Sequence, residues 1–186
     1  MNSSTACFDD YNNGHDMEDS RYKWQQIYLH WISAAVIFWG LFTGFYAAFA
    51  KPDPFIANWI GFINVSATTL FIPFFILRSW FFFRYGKPTV SKKMKGHQLA
   101  YTVHVLIYIN ILIVMVSGVL MMERPINVFN IIQFSQPLTD AVLTHQFNLV
   151  HKFSCMILGV LVFGHVAAVL YHECLGRLVM RRMWRA

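Results

Sequence analysis

Charge is what this chain has least of. Of its 186 residues only 13% are charged and 56% are hydrophobic, with 18 Phe among them. Soluble domains carry about 25% charge, so the polar surface here cannot cover a water-soluble fold. Disorder, a coiled coil and a collagen-like repeat are excluded by the same composition. Cysteine is also scarce, with Cys7, Cys155 and Cys174 and no C-x-x-C pair or C-x-x-C-H segment. A cysteine zinc site and covalent c-type haem attachment are thereby excluded. A secretory signal needs a basic start followed by a short apolar stretch. The first twenty residues instead hold Asp9, Asp10, Asp16, Glu18 and Asp19. Residues 1–22 therefore read as an acidic cytoplasmic tail, and 23–186 as one transmembrane domain.

What is present is four long stretches without charge. They run between Lys23 and Lys51, Asp53 and Arg78, Lys95 and Glu123, and Lys152 and Glu173. About 20 apolar residues cross a hydrocarbon core of roughly 30 Å, and backbone in lipid must satisfy its own hydrogen bonds. Helices are expected near 24–49, 56–83, 97–122 and 144–172, with Pro73 bending the second without ending it. The fold class is all-α, an integral membrane four-helix bundle in contact with the lipid bilayer.

The formal charge of +6 suggests nucleic acid until the positions of the cations are considered. Arg21, Lys23, Arg78, Arg84, Lys87, Lys92, Lys93, Lys95, Arg177, Arg181, Arg182 and Arg185 fall on one side of the spans. Lys51, Arg124 and Lys152 fall on the other. That asymmetry predicts a bacterial inner-membrane protein with both termini cytoplasmic and no nucleic-acid partner. On the outer side the three cations are balanced by Asp53, Glu123 and Asp140, so no net field steers an anion inward.

Seven of the eight histidines, all but His15, lie within or at the ends of the spans. Ionisable groups in a membrane are costly, and they mark function. His151 and His165 are 14 residues apart, about 40° short of four turns and roughly 21 Å along the axis. One imidazole therefore sits near each membrane surface on a single stripe, as two stacked haems require. Gly159, Gly164, Ala167 and Ala168 leave room for a flat ring near His165. His30 opens the first span level with His165, so these two are paired as axial ligands of a cytoplasmic-side haem. His151 wants a partner at the outer start of the second span, which contains no histidine.

The segments YLHW at 28–31, INVSATTLFIPFFILR at 63–78, HVLIYINILIVMVSGVLMM at 104–122 and H-x13-H at 151–165 resemble the bacterial cytochrome b561 family. So does the terminal RLVMRRM at 177–183. The family is related to the cytochrome b subunits of hydrogenases and formate dehydrogenases. The resemblance implies haem b between the helices, with axial histidines on helices one, two and four. His30, His151 and His165 match three of those four positions, and the fourth falls on Asn64. Three arrangements are open there. The outer haem is held by His151 alone, or His145 completes it, or it is absent and His151 has another polar role.

Arg78, Lys95, His104 and His97 are candidates to hold haem propionates or a quinone head group. His172 is a candidate for the rim of a quinone pocket. The resemblance implies electron transfer between a periplasmic one-electron partner, with superoxide one candidate, and membrane ubiquinone. The alternative is a cytochrome b subunit that anchors a larger periplasmic dehydrogenase. The loop from Arg124 to His145, with Ile126, Phe129, Ile131, Ile132 and Phe134, reads as a lid over the outer site or as a docking surface.

Overall fold

A computed structural model describes residues 24–85 and 97–176, with only the backbone of Tyr85 and His97. The acidic tail, Lys95 and the basic C-terminal residues lie outside the described residues. The elements are α1 (Trp24–Ala50), α2 (Pro54–Tyr85), α3 (His97–Leu120), β1 (Ile126–Val128), β2 (Ile132–Phe134) and α4 (Ala141–Cys174). All four helices are long and apolar enough to cross a membrane. Each begins and ends within a few residues of its expected bounds, because charges and caps set both.

Pro54 starts α2 at the first helical position, where its missing N–H costs nothing. Asp53 completes that start by accepting from the Phe55 N–H at 2.8 Å. Asp140 caps α4 in the same way, accepting from Val142 N at 2.8 Å and Leu143 N at 3.3 Å. Pro73 lies inside α2, which continues through it.

The helices run up and down, so His30, Arg78, His104 and His165 share one end of the bundle. His151 and the small β-hairpin share the other. We call these the arginine end and the hairpin end. α1 packs along α2 and α3 along α4, whereas α2 and α3 meet at only a few points. The bundle is thus two helical hairpins with space between them. Across the middle they are joined by Phe71, Phe75, Tyr108, Ile111 and Leu158.

The most deeply buried side chains are Ser33, Ser66 and Ser117, while Phe42, Phe49, Phe163 and Ile131 are among the most exposed. This inversion of a soluble fold follows from the solvent. Lipid is as apolar as leucine, so small residues and hydrogen bonds, not burial of large ones, decide which faces meet. Ser33 donates to Leu29 O at 2.6 Å and Asn110 Nδ2 to Ser154 O at 2.9 Å. At Gly159 a Cβ would lie 3.2 Å from the Phe45 ring. That glycine admits an aromatic side chain of α1, not the haem space expected of it.

The loop after α3 forms an antiparallel hairpin that the sequence reading did not anticipate, with Ile126 opposite Phe134 and Val128 opposite Ile132. Phe129 and Asn130 take positive φ at its turn. Asn127 steadies the turn by accepting from Asn130 N at 2.9 Å. Ser66 of α2 ties the hairpin down, because its Oγ accepts from Phe129 N at 3.1 Å and donates to Asn127 O at 3.2 Å. Ile126 and Val128 are buried and β2 is exposed throughout. One strand closes the end of the bundle while the other faces outward.

Candidate functional site

At the arginine end every helix contributes. Arg78 of α2 places Nη2 3.0 Å from His30 Nδ1 of α1. A guanidinium only donates, so His30 accepts on Nδ1. The same guanidinium stands 5.2 Å over the ring of Tyr108 on α3. His104, also on α3, meets His165 of α4 edge to face, with ring centroids 4.9 Å apart. Its Nδ1 donates to Ala100 O at 2.5 Å. Phe82 stacks on Tyr108 and His104, with centroids 4.7 Å and 6.5 Å away. His30 is within electrostatic reach of both His165 and His104.

At the hairpin end the helices stand apart around a cavity of about 340 Å³. Gly40 and Gly44 of α1, Gly61 and Asn64 of α2, and Gly118 of α3 line it, together with His151 of α4. His151 is held firmly. Its Nδ1 donates to Val114 O at 3.0 Å, with Ser117 Oγ at 3.3 Å. That hydrogen bond sets the tautomer and makes Nε2 the acceptor nitrogen, as in metal-ligating histidines. Cys155 Sγ is 3.5 Å from Nε2. A Cβ on Gly118 would fall 3.1 Å from His151 Cε1, so only glycine lets the imidazole lie this close to α3. Across the cavity Asn64 Oδ1 is 2.9 Å from Thr43 Oγ1 of α1.

The candidates named from sequence thus divide into two groups. His30, Arg78, His104 and His165 come together at one end, and His151 and Asn64 face one cavity at the other. His172 lies two turns beyond His165, half-buried beside Tyr171. His145 is exposed and does not line the cavity. Six residues before His151, it lies about 120° around α4. Thr43, Ser117, Gly118 and Tyr108 were missed, since each matters only through a partner far along the chain.

The sequence profile described as prokaryotic cytochrome b561 matches residues 21–186. The chain belongs to the prokaryotic cytochrome b561 family. It is a multi-pass bacterial membrane protein, a b-type cytochrome of electron transfer. No curated protein matches the chain. Family membership implies b-type haem, and the residues present fit such a group. The hairpin-end cavity falls within the roughly 300–1,000 Å³ of small-molecule sites, has glycine walls and includes the His151 imidazole, whose Nε2 is contacted by the Cys155 thiol. The arginine end offers imidazoles from three helices and a guanidinium suited to propionate carboxylates.

Proposed function

We propose that the protein carries electrons across the membrane between a periplasmic one-electron partner, with superoxide the candidate, and ubiquinone. The observation that carries this reading is the placement of imidazoles at both ends of one bundle, His165 and His151 on the same helix. Haem b, when bound, supplies a one-electron carrier whose potential the surrounding side chains tune. In this reading His30 and His165 are the axial pair at the arginine end, and His151 binds at the hairpin end. Arg78, 3.0 Å from His30 Nδ1, would pair with a haem propionate carboxylate. His104, with Lys95 and His172, serves propionates or the quinone head group. Both termini lie in the cytoplasm, so the arginine end is the cytoplasmic one.

A groove open to lipid between α2 and α3 supports the quinone part of this reading. It holds about 560 Å³ and is lined by Phe75, Ser79, Phe83 and Tyr108. Ser79 Oγ is buried with no hydrogen-bond partner among the described residues. A quinone carbonyl would satisfy it. The test is spectral: His30→Ala or His165→Ala abolishes one low-spin bis-imidazole signal, and an unchanged signal in either rejects the pairing. Tags at residues 2 and 186 resist external protease in intact cells if both termini are inside.

The outward face of β2 favours a second reading, an anchor subunit for a larger periplasmic dehydrogenase. Ile131 is 82% exposed at the turn, and Ile132 and Phe134 of β2 follow it, forming an apolar docking surface. Copurification of a large iron–sulfur protein would favour this reading. Quinone reduction by the isolated chain would favour the first.

A further inference from the structure

The two walls of the hairpin-end cavity differ in kind. On one side α4 presents His151, pressed against Val114 to Gly118 of α3. Met115 of α3 also lines the cavity, as do Met121 and Met122 just past the end of that helix. The facing wall is built by α1 and α2. α1 contributes glycines and aliphatic residues. From α2, Thr68 Oγ1 donates to Asn64 O at 2.6 Å and Thr69 Oγ1 to Val65 O at 2.7 Å. Both hydroxyls are spent on their own helix. The Asn64 amide is the remaining polar group on that wall.

Its geometry is specific. Thr43 Oγ1 stands 2.9 Å from Asn64 Oδ1 and 2.7 Å from Trp39 O. One end of the amide is therefore tied to α1, and the other is left to the cavity. An amide is a weak ligand for haem iron beside an imidazole, but a fixed amide is a good hydrogen-bond partner for a small bound molecule. His145, the other imidazole of this end, is exposed and outside the cavity.

We propose that the hairpin-end cavity holds its haem on one protein ligand, His151, and that the face beneath Asn64 takes a small exogenous diatomic ligand of the carbon monoxide, nitric oxide or dioxygen class. This rests on the haem-carrier reading and deepens it. The arginine end is an electron relay with both axial positions filled, and the hairpin end is a ligand-binding site. Thr43 and Asn64 are positioning residues that act on the bound molecule by hydrogen bonding.

The experiment uses the purified full chain in detergent. Haem is counted as its pyridine haemochrome, and carbon monoxide is added to the dithionite-reduced protein. Two haems per chain are expected, with half of the haem shifting on carbon monoxide. His151→Ala removes that half and leaves the low-spin half. Asn64→His converts it to low spin and abolishes its carbon monoxide reaction. Asn64→Leu keeps the reaction but shifts the C–O stretching frequency and speeds dissociation by about fivefold, the loss expected for one modest hydrogen bond. Two low-spin haems that both refuse carbon monoxide would overturn the proposal and leave the electron-carrier reading standing, as would a single inert haem. Carbon monoxide binding that survives His151→Ala would also overturn it. A chain that binds no haem would overturn the electron-carrier reading itself.

Discussion

The two ends of this bundle are made by the same four helices and differ in how they are filled. At the arginine end Phe82, Tyr108, His104 and His165 pack ring against ring, and Arg78 bridges α1 to α3. At the hairpin end glycines hold the walls apart and a single imidazole faces a single amide across about 340 Å³. The difference lies mainly in side-chain size on α1, α2 and α3, because α4 supplies one candidate haem ligand to each end, His165 and His151. A bundle whose helices pack through small residues can be full at one end and open at the other without any change of topology. The two ends can therefore carry different chemistry.

The largest expected effect tests whether they are independent. His165→Ala removes the low-spin signal of the arginine end, and the carbon monoxide reaction of the hairpin end persists. Loss of both signals together would show that the ends fold as one unit. Next is Gly118→Val. Even the first carbon of that side chain would press on His151 Cε1 at 3.1 Å, so haem content falls by about half while the low-spin spectrum stays. A wild-type haem content in this variant would mean that His151 is not held where the cavity needs it.

Arg78→Gln has a smaller effect. It removes a positive charge from the arginine end and so favours the oxidised carrier there. The midpoint potential of the low-spin haem falls by about 50 mV, on the order of 1 kcal/mol for one electron. Redox titration reads this directly, and a rise would place the propionates elsewhere. The smallest effect is at the hairpin itself. Ser66→Ala removes both bonds that dock it to α2, at a cost of about 1 kcal/mol each. Thermal stability drops by a few degrees with both haem signals intact. If the carbon monoxide reaction is lost as well, Ile126 closes the site as well as covering it.

How much of this was legible in the chain depends on distance along it. The four spans and their ends were readable because charge, caps and apolar length are local properties, and α1 to α4 begin and end close to where these place them. The stripe joining His151 to His165 was readable because both lie on one helix and helical geometry is fixed. The hairpin was not, since Ile126 to Val128 and Ile132 to Phe134 are too short to show a period. Their pairing depends on Ser66, far away in α2.

Asn64 shows the boundary most clearly. From the sequence it was visible that the second span has no histidine and that the resemblance places Asn64 where one belongs. Whether His145 replaced it was open, because a residue six positions from His151 is near in the chain whichever way it points. The structure puts His145 on an exposed face, outside the cavity lining. The tie between Thr43 and Asn64, and the close approach of His151 to Gly118, are contacts between helices. The sequence alone determined that the chain lies in a membrane, where its helices begin and end, and at which depth each imidazole stands, because composition and helical period act residue by residue. Only the tertiary structure decided which of those imidazoles meet, and which one faces an open cavity. The faces that helices turn toward each other in lipid are selected by the fit of small side chains and shared hydrogen bonds, which exist only after the helices have come together.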